Sequence, residues 1–302
     1  MTAQHVPGSD GAARLVHAAD GLDYLHVETP AARATVCLQG AQILEYASAA
    51  SATPLLWMSE TAVRRSGHAL RGGIPICWPW FGAAPPPARG MQHGYARTAP
   101  WRLDAARRSG DEVTLDLRML APRAGEMTPL QAQAELCIRI GRSLSLELRT
   151  RNLGQQELRL TEALHAYLRV GDVRRVRLGG LDGARYVDKL AHGSAGVQHG
   201  DLRFEAAVDR MFVGTESECV IHDPVLSRRI FITKFGSQST VVWNPWQEGA
   251  DAIADMRGAG WQRMLCVEAG NVDRDALCIA AGAEHRLGAS YRVQDLPGQA
   301  GG

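Results

Sequence analysis

Over 302 residues, 33 Lys and Arg against 32 Asp and Glu leave a formal net charge of only +1. A chain so balanced has no overall field to hold nucleic acid or an anionic membrane, so neither is expected as a partner and any anionic ligand must be met locally. Residues 1–15 lack the apolar run of a secretory leader and no stretch approaches bilayer-spanning length, which points to a protein that stays in the cytoplasm. Only Lys189 and Lys234 are lysines. The other cations are arginines, whose planar forks suit bidentate contact with oxyanions, although an Arg-rich genome gives the same bias. Cys37, Cys77, Cys137, Cys219, Cys266 and Cys278 are scattered without a CxxC pair. That spacing argues against a structural metal site and a disulfide framework, and for reduced, mostly buried thiols.

The recurrent pattern along the chain is alternation with a period of two, the mark of strands with one buried face. It predicts a strand over 34–39, then one in which Val113, Leu115 and Leu117 alternate with Thr114, Asp116 and Arg118. Residues 132–140 and the run Leu144, Leu146, Leu148 follow, joined through Gly141-Arg142-Ser143 as a hairpin. Further strands are predicted over 158–170, 229–235, 240–243, 264–268 and 285–293, with a single short helix over 249–256 after Gly249. Many strands without long amphipathic helices exclude a wound α/β sheet and indicate an all-β sandwich or barrel. One domain spanning 1–302 is expected, with loosely packed ends over about 1–12 and 297–302.

Four polar clusters border apolar runs, where a β scaffold presents side chains. The first, Arg71-Gly72-Gly73-Ile74-Pro75-Ile76-Cys77-Trp78-Pro79-Trp80-Phe81-Gly82, joins close-approach glycines to flat aromatic faces suited to a sugar, and reads equally as a buried Trp/Pro corner with a solvated Arg71. The second, Gln92-His93-Gly94-Tyr95-Ala96-Arg97, concentrates hydrogen-bond donors suited to hydroxyls and phosphate oxygens, or is ordinary exposed surface. In the third, Leu164-His165-Ala166-Tyr167, a strand period sets His165 with Ala163 and Tyr167, but the alternation is imperfect, and a histidine in an apolar strand also fits a core role. In the fourth, Cys266-Val267-Glu268-Ala269-Gly270-Asn271, a carboxylate closing an apolar run is either a partly desolvated base or the first charge to meet water.

Taken in order, these clusters resemble the glucose-6-phosphate 1-epimerases, the hexose-6-phosphate mutarotase branch of the aldose 1-epimerase superfamily. The resemblance runs from about Gly40 to Val293 and includes Gly40-Ala41-Gln42-Ile43-Leu44, Leu56-Trp57-Met58-Ser59, Val208-Asp209-Arg210 and Val242-Trp243-Asn244-Pro245-Trp246. It implies a galactose-mutarotase-like fold, a twisted β-sandwich with the sugar on its concave side. By the same resemblance His165 falls on the family's catalytic histidine and Glu268 on its catalytic glutamate. Arg71, Gln92, Arg97 and Asp209 fall on substrate-contacting positions, with His93 the next candidate. Ala269 stands where the family often has proline, and Cys77-Trp78 where it often has smaller or β-branched residues.

The implied reaction is anomer exchange of a hexose 6-phosphate without metal, nucleotide or other cofactor, by a monomer or weak homo-oligomer. Arg71 and Arg97 are the candidates for the phosphate. Two other readings stay open: a mutarotase for unphosphorylated aldoses, and a non-catalytic carbohydrate-binding sandwich in which Trp78, Trp80, Trp101, Trp243 and Trp246 stack on sugars.

Overall fold

The computed structural model describes residues 2–85, 91–120, 130–256 and 258–296. Among them the strands form four sheets, and every strand pair is antiparallel. A nine-stranded sheet contains the predicted hairpin, Ala132–Ile140 with Leu144–Asn152, in the register that sets Ile140 opposite Leu144. An eight-stranded sheet contains Arg185–Asp188, Val208–Val213, Ser239–Asn244, Met264–Asn271, Glu162–Leu164 and Ile76–Cys77 in spatial order, with Tyr167–Arg169 also pairing Met264–Asn271. A five-stranded sheet covers the first fifty residues or so, and Leu158–Leu160 pairs with Leu277–Ile279.

Alternation decides which face meets the core. Val113, Leu115 and Leu117, Leu136, Ile138 and Ile140, and Leu144, Leu146 and Leu148 are all 2 % exposed or less, while the residues between them turn outward. They share one core with Phe212, Val242 and Val267 of the eight-stranded sheet and with Leu25, Val36 and Ile43 of the five-stranded one. Each such side chain contributes roughly 1.5–3 kcal/mol by leaving water, so face-to-face packing of the two large sheets follows from the pattern. Among the described residues, no helix is long and apolar enough to cross a membrane.

Three expectations need correction. The stretch 158–170 is not one strand but three, Leu158–Leu160, Glu162–Leu164 and Tyr167–Arg169, because the first pairs in a different sheet from the others. The helix is Trp246–Asp251 rather than 249–256. Asn244 Oδ1 accepts from the Trp246 N–H at 2.9 Å, so the Asn-Pro turn starts the helix upstream of Gly249. Residues 2–12 are not loose: Thr2–His5 pairs with Ala13–His17, and Val6 and Ser9 are buried. Residues 297–302 lie outside the described part of the chain. Four of the six thiols, those of Cys37, Cys77, Cys219 and Cys266, are buried as expected, and all six are free.

The core also encloses a carboxyl group. Glu162 is fully buried and accepts from Thr150 Oγ1 and Asn271 Nδ2, both at 3.3 Å, while Trp78 Nε1 donates to Thr150. Desolvation outweighs those hydrogen bonds and pushes its pKa up to about 7. A carboxyl that binds its proton more tightly folded than unfolded stabilises the fold fully at low pH. That contribution is lost as pH rises from the unfolded value through about 7. A shift of this size corresponds to about 3 kcal/mol. Denaturant melts of Glu162→Gln against wild type at pH 5 and pH 8 are therefore expected to show the variant gaining relative stability at the higher pH; a pH-independent difference contradicts this account.

Candidate active site

Antiparallel pairing places directly opposed residues on the same face of a sheet. In the eight-stranded sheet Tyr167 is opposite Cys266, Cys266 opposite Trp243, and Trp243 opposite Asp209. Lys189, whose N–H donates to the Asp209 carbonyl, extends that row. Glu268, two residues along the strand from Cys266, shares the face. Residues distant in the chain thus converge on one line, with the carboxyl of Glu268 beside it.

His165 occupies the break between Glu162–Leu164 and Tyr167–Arg169, the same interruption that disturbs the alternation in the sequence. Its N–H donates to Pro75 O at 2.9 Å. The imidazole stacks on Tyr167 at 4.7 Å between ring centres and 9° between planes, and meets the edges of Trp243 and His93 at 6.1 and 5.6 Å. This aromatic cage sets the ring with Nδ1 3.3 Å from Glu268 Oε1. The pair is close but not aligned as a hydrogen bond, and Nδ1 and both Glu268 oxygens are buried without a hydrogen-bond partner. Glu268 is 1 % exposed and His165 7 %.

Burial pushes the Glu268 pKa well up; the charge of Asp209 adds to this and that of Lys189 opposes it. Burial likewise pushes the His165 pKa well down, helped by His93, Arg97 and Arg71. Both shifts disfavour an isolated charge on either group. The charges of Arg71 and Arg97 act on the imidazole, which His93 also meets edge-on, and those of Asp209 and Lys189 act on the carboxyl.

Arg71 is not a solvated surface residue. Its Nε donates to Asp255 Oδ1 and its Nη1 to Tyr167 Oη, each at 3.1 Å, and these partners hold its charge against desolvation. His93 has φ of 61°, a left-handed backbone that is costly outside glycine and is found where a site dictates it. Gly82 N–H donates to its Nδ1, which puts the proton of the neutral ring on Nε2. Burial, with Arg97, Lys189 and Arg71 behind it, pushes the His93 pKa down to about 3. Gly94 follows with φ of 70°, and a Cβ there would lie 1.9 Å from Trp78 O, so only glycine lets the second cluster dock on the first.

Arg97 Nη2 donates to Gln92 O at 2.6 Å. Gln92 itself is exposed. Asp209 Oδ2 sits 3.1 Å from Lys189 Nζ, which in turn lies 5.6 Å from the centre of the Phe81 ring packed against His93. Lys189, Tyr167 and Asp255 were not among the site residues expected from the sequence. The scarcity of lysine was a signal for the first and spacing from His165 for the second; Asp255 had none.

The tryptophans sort differently from the sugar-stacking expectation. Trp78 is fully buried, Trp80 donates to Met91 O and Trp101 to Ala96 O within the core, and Trp246 packs on Trp261. Of the five, Trp243 alone borders His165. A recess of about 510 Å³ lined by Leu38, Gln39, Met91, Tyr95 and Trp101 contains none of the predicted site residues. His165, Cys266 and Glu268 also present three potential metal-ligand atoms within 4.8 Å of one another.

The fold and this cluster, taken with known proteins, define an epimerase built on an antiparallel β-sandwich. The aldose 1-epimerase family model matches residues 23–292. A Salmonella typhimurium protein provisionally named glucose-6-phosphate 1-epimerase is 34% identical over 252 residues, 82% of this chain and 83% of its own. A crystal structure of a provisionally assigned mutarotase from Salmonella typhimurium superposes with a TM-score of 0.87 at 30% identity, over 98% of this chain and 97% of that one. A galactose mutarotase-like protein from Lactobacillus casei, at 14% identity, shares the fold with a TM-score of 0.67 over 90% of this chain and 100% of that one. The chain belongs to the aldose 1-epimerase family, and its fold is galactose-mutarotase-like, as expected from the sequence.

Proposed function

We propose that this enzyme interconverts the α and β anomers of a hexose 6-phosphate, glucose 6-phosphate foremost, with Glu268 as general base and His165 as general acid. The observation that carries the reading is the 3.3 Å approach of His165 Nδ1 to Glu268 Oε1, with the polar atoms of both left unpartnered. Buried groups without partners cost free energy unless something else requires them, and a bound pyranose supplies what they lack.

In the proposed step Glu268 takes the proton of the C1 hydroxyl, the C1–O5 bond breaks, and the ring oxygen takes a proton from His165, leaving the open aldehyde. With Nδ1 turned to the carboxyl, Nε2 is the nitrogen for the ring oxygen. Rotation about C1–C2 presents the other carbonyl face; reclosure returns one proton from Glu268 to O1 and the other from O5 to His165. The cycle is proton-neutral and needs no metal or nucleotide. Arg97 and Arg71 take the 6-phosphate, since guanidinium forks match its geometry. Gln92, His93 and Asp209 meet the sugar hydroxyls. One domain over 1–302, cytoplasmic and monomeric or weakly self-associating, completes the proposal.

The decisive measurement is magnetisation-exchange NMR on glucose 6-phosphate and glucose in parallel, with and without protein. Faster exchange of the phosphorylated sugar is expected. Acceleration of glucose alone assigns the enzyme to unphosphorylated aldoses, and saturable binding without exchange assigns a carbohydrate-binding role.

A further inference from the structure

The third member of the buried cluster has no part in anomer exchange. Cys266 is fully buried on the strand that carries Glu268, and its row partners are Tyr167 and Trp243. Its sulfur, a His165 nitrogen and a Glu268 oxygen lie within 4.8 Å of one another. The cluster is more than an isolated thiol: among the described residues His165 Nδ1 and both Glu268 oxygens are buried atoms without a hydrogen-bond partner, on side chains 91 % or more enclosed, in a site that a sugar must enter.

We propose that His165, Cys266 and Glu268 form a Zn²⁺ site, through which the metal reversibly occupies the carboxylate that anomer exchange uses. An imidazole, a thiolate and a carboxylate are the three ligand types Zn²⁺ accepts, at about 2.0–2.3 Å, which sets donors roughly 3.5 Å apart in a tetrahedral site. The His165–Glu268 separation of 3.3 Å already meets this, and the remaining separations, all within 4.8 Å, close with side-chain movements on the order of 1 Å. Charge favours the ion. A thiolate and a carboxylate balance its two positive charges in a dry cavity, where any other sum is costly. Of the neighbouring cations, Arg71 is answered by Asp255 and Lys189 by Asp209.

Binding does not depend on the roles assigned to His165 and Glu268, whereas inhibition does, so the two readouts fail separately. The reduced full-length protein is titrated with Co²⁺ and then Zn²⁺ while absorbance and anomer exchange are followed. A single equivalent is expected to produce a thiolate-to-cobalt charge-transfer band that Zn²⁺ displaces. Exchange activity is lost in step with occupancy and returns on chelation. Cys266→Ser and Cys266→Ala, which fill the thiol's place differently, should both lose the band and bind roughly ten-fold or more weakly. Cys278→Ser, which removes the exposed thiol, should keep it. No band in wild type, or one that persists in both Cys266 variants, overturns the site. A filled site with undiminished exchange upholds the metal and instead removes the acid–base roles of His165 and Glu268.

Discussion

Glu268→Gln is expected to lower kcat/KM for anomer exchange by roughly 10²–10⁴-fold, the range that a positioned proton-transfer group supplies. The amide keeps the size of the carboxyl and cannot take the C1 proton. Stability is expected to hold or rise, because the substitution removes an ionisable group that burial already disfavours. His165→Ala should cost a comparable factor. It also leaves a gap between Tyr167 and His93, so His165→Gln is the cleaner comparison for stability. Because both residues act on one proton inventory, the double variant should lose little more than either single one. Polarimetry on fresh α-glucose 6-phosphate reads all three variants. Full activity in Glu268→Gln excludes the carboxylate as base, and additive losses in the double variant exclude a coupled pair.

The strands of this fold were legible in the chain for a physical reason, whereas the roles of His165 and Glu268 came only with the family resemblance. Period-two alternation identified strands such as 132–140 and Leu144–Leu148, because one face of each must enter the core whatever lies opposite. Strand order is another matter. That Lys189, Asp209, Trp243, Cys266 and Tyr167 form one row depends on register between strands far apart in sequence, which local pattern does not encode. The motif around Trp78 illustrates the converse ambiguity: its aromatic residues suit a sugar equally well, yet Trp78 is core and donates to Thr150, while Arg71 from the same segment reaches Tyr167 beneath the imidazole. Disturbed alternation near His165 was the one local trace of the chain break that aims it.

Recognition of the phosphate should separate the two arginines. Arg71 has Nε committed to Asp255 and Nη1 to Tyr167, the ring on which His165 stacks. Among the described residues the Arg97 side chain makes one hydrogen bond, from Nη2 to a carbonyl on its own loop, and in the proposed reading the rest of its fork serves the phosphate. A charge-assisted contact contributes about 1.5–3 kcal/mol, so Arg97→Ala is expected to reduce kcat/KM for glucose 6-phosphate on the order of 10- to 100-fold, chiefly through KM, and to leave glucose nearly untouched. Arg71→Ala should instead depress kcat for both sugars, since its loss frees Tyr167 and strands Asp255. Arg97→Lys tests the fork itself: a point charge restores attraction but not bidentate geometry, and partial recovery is expected. Equal losses on both sugars in Arg97→Ala would place the phosphate elsewhere, with Lys189, at the other end of the row, the next cation to test.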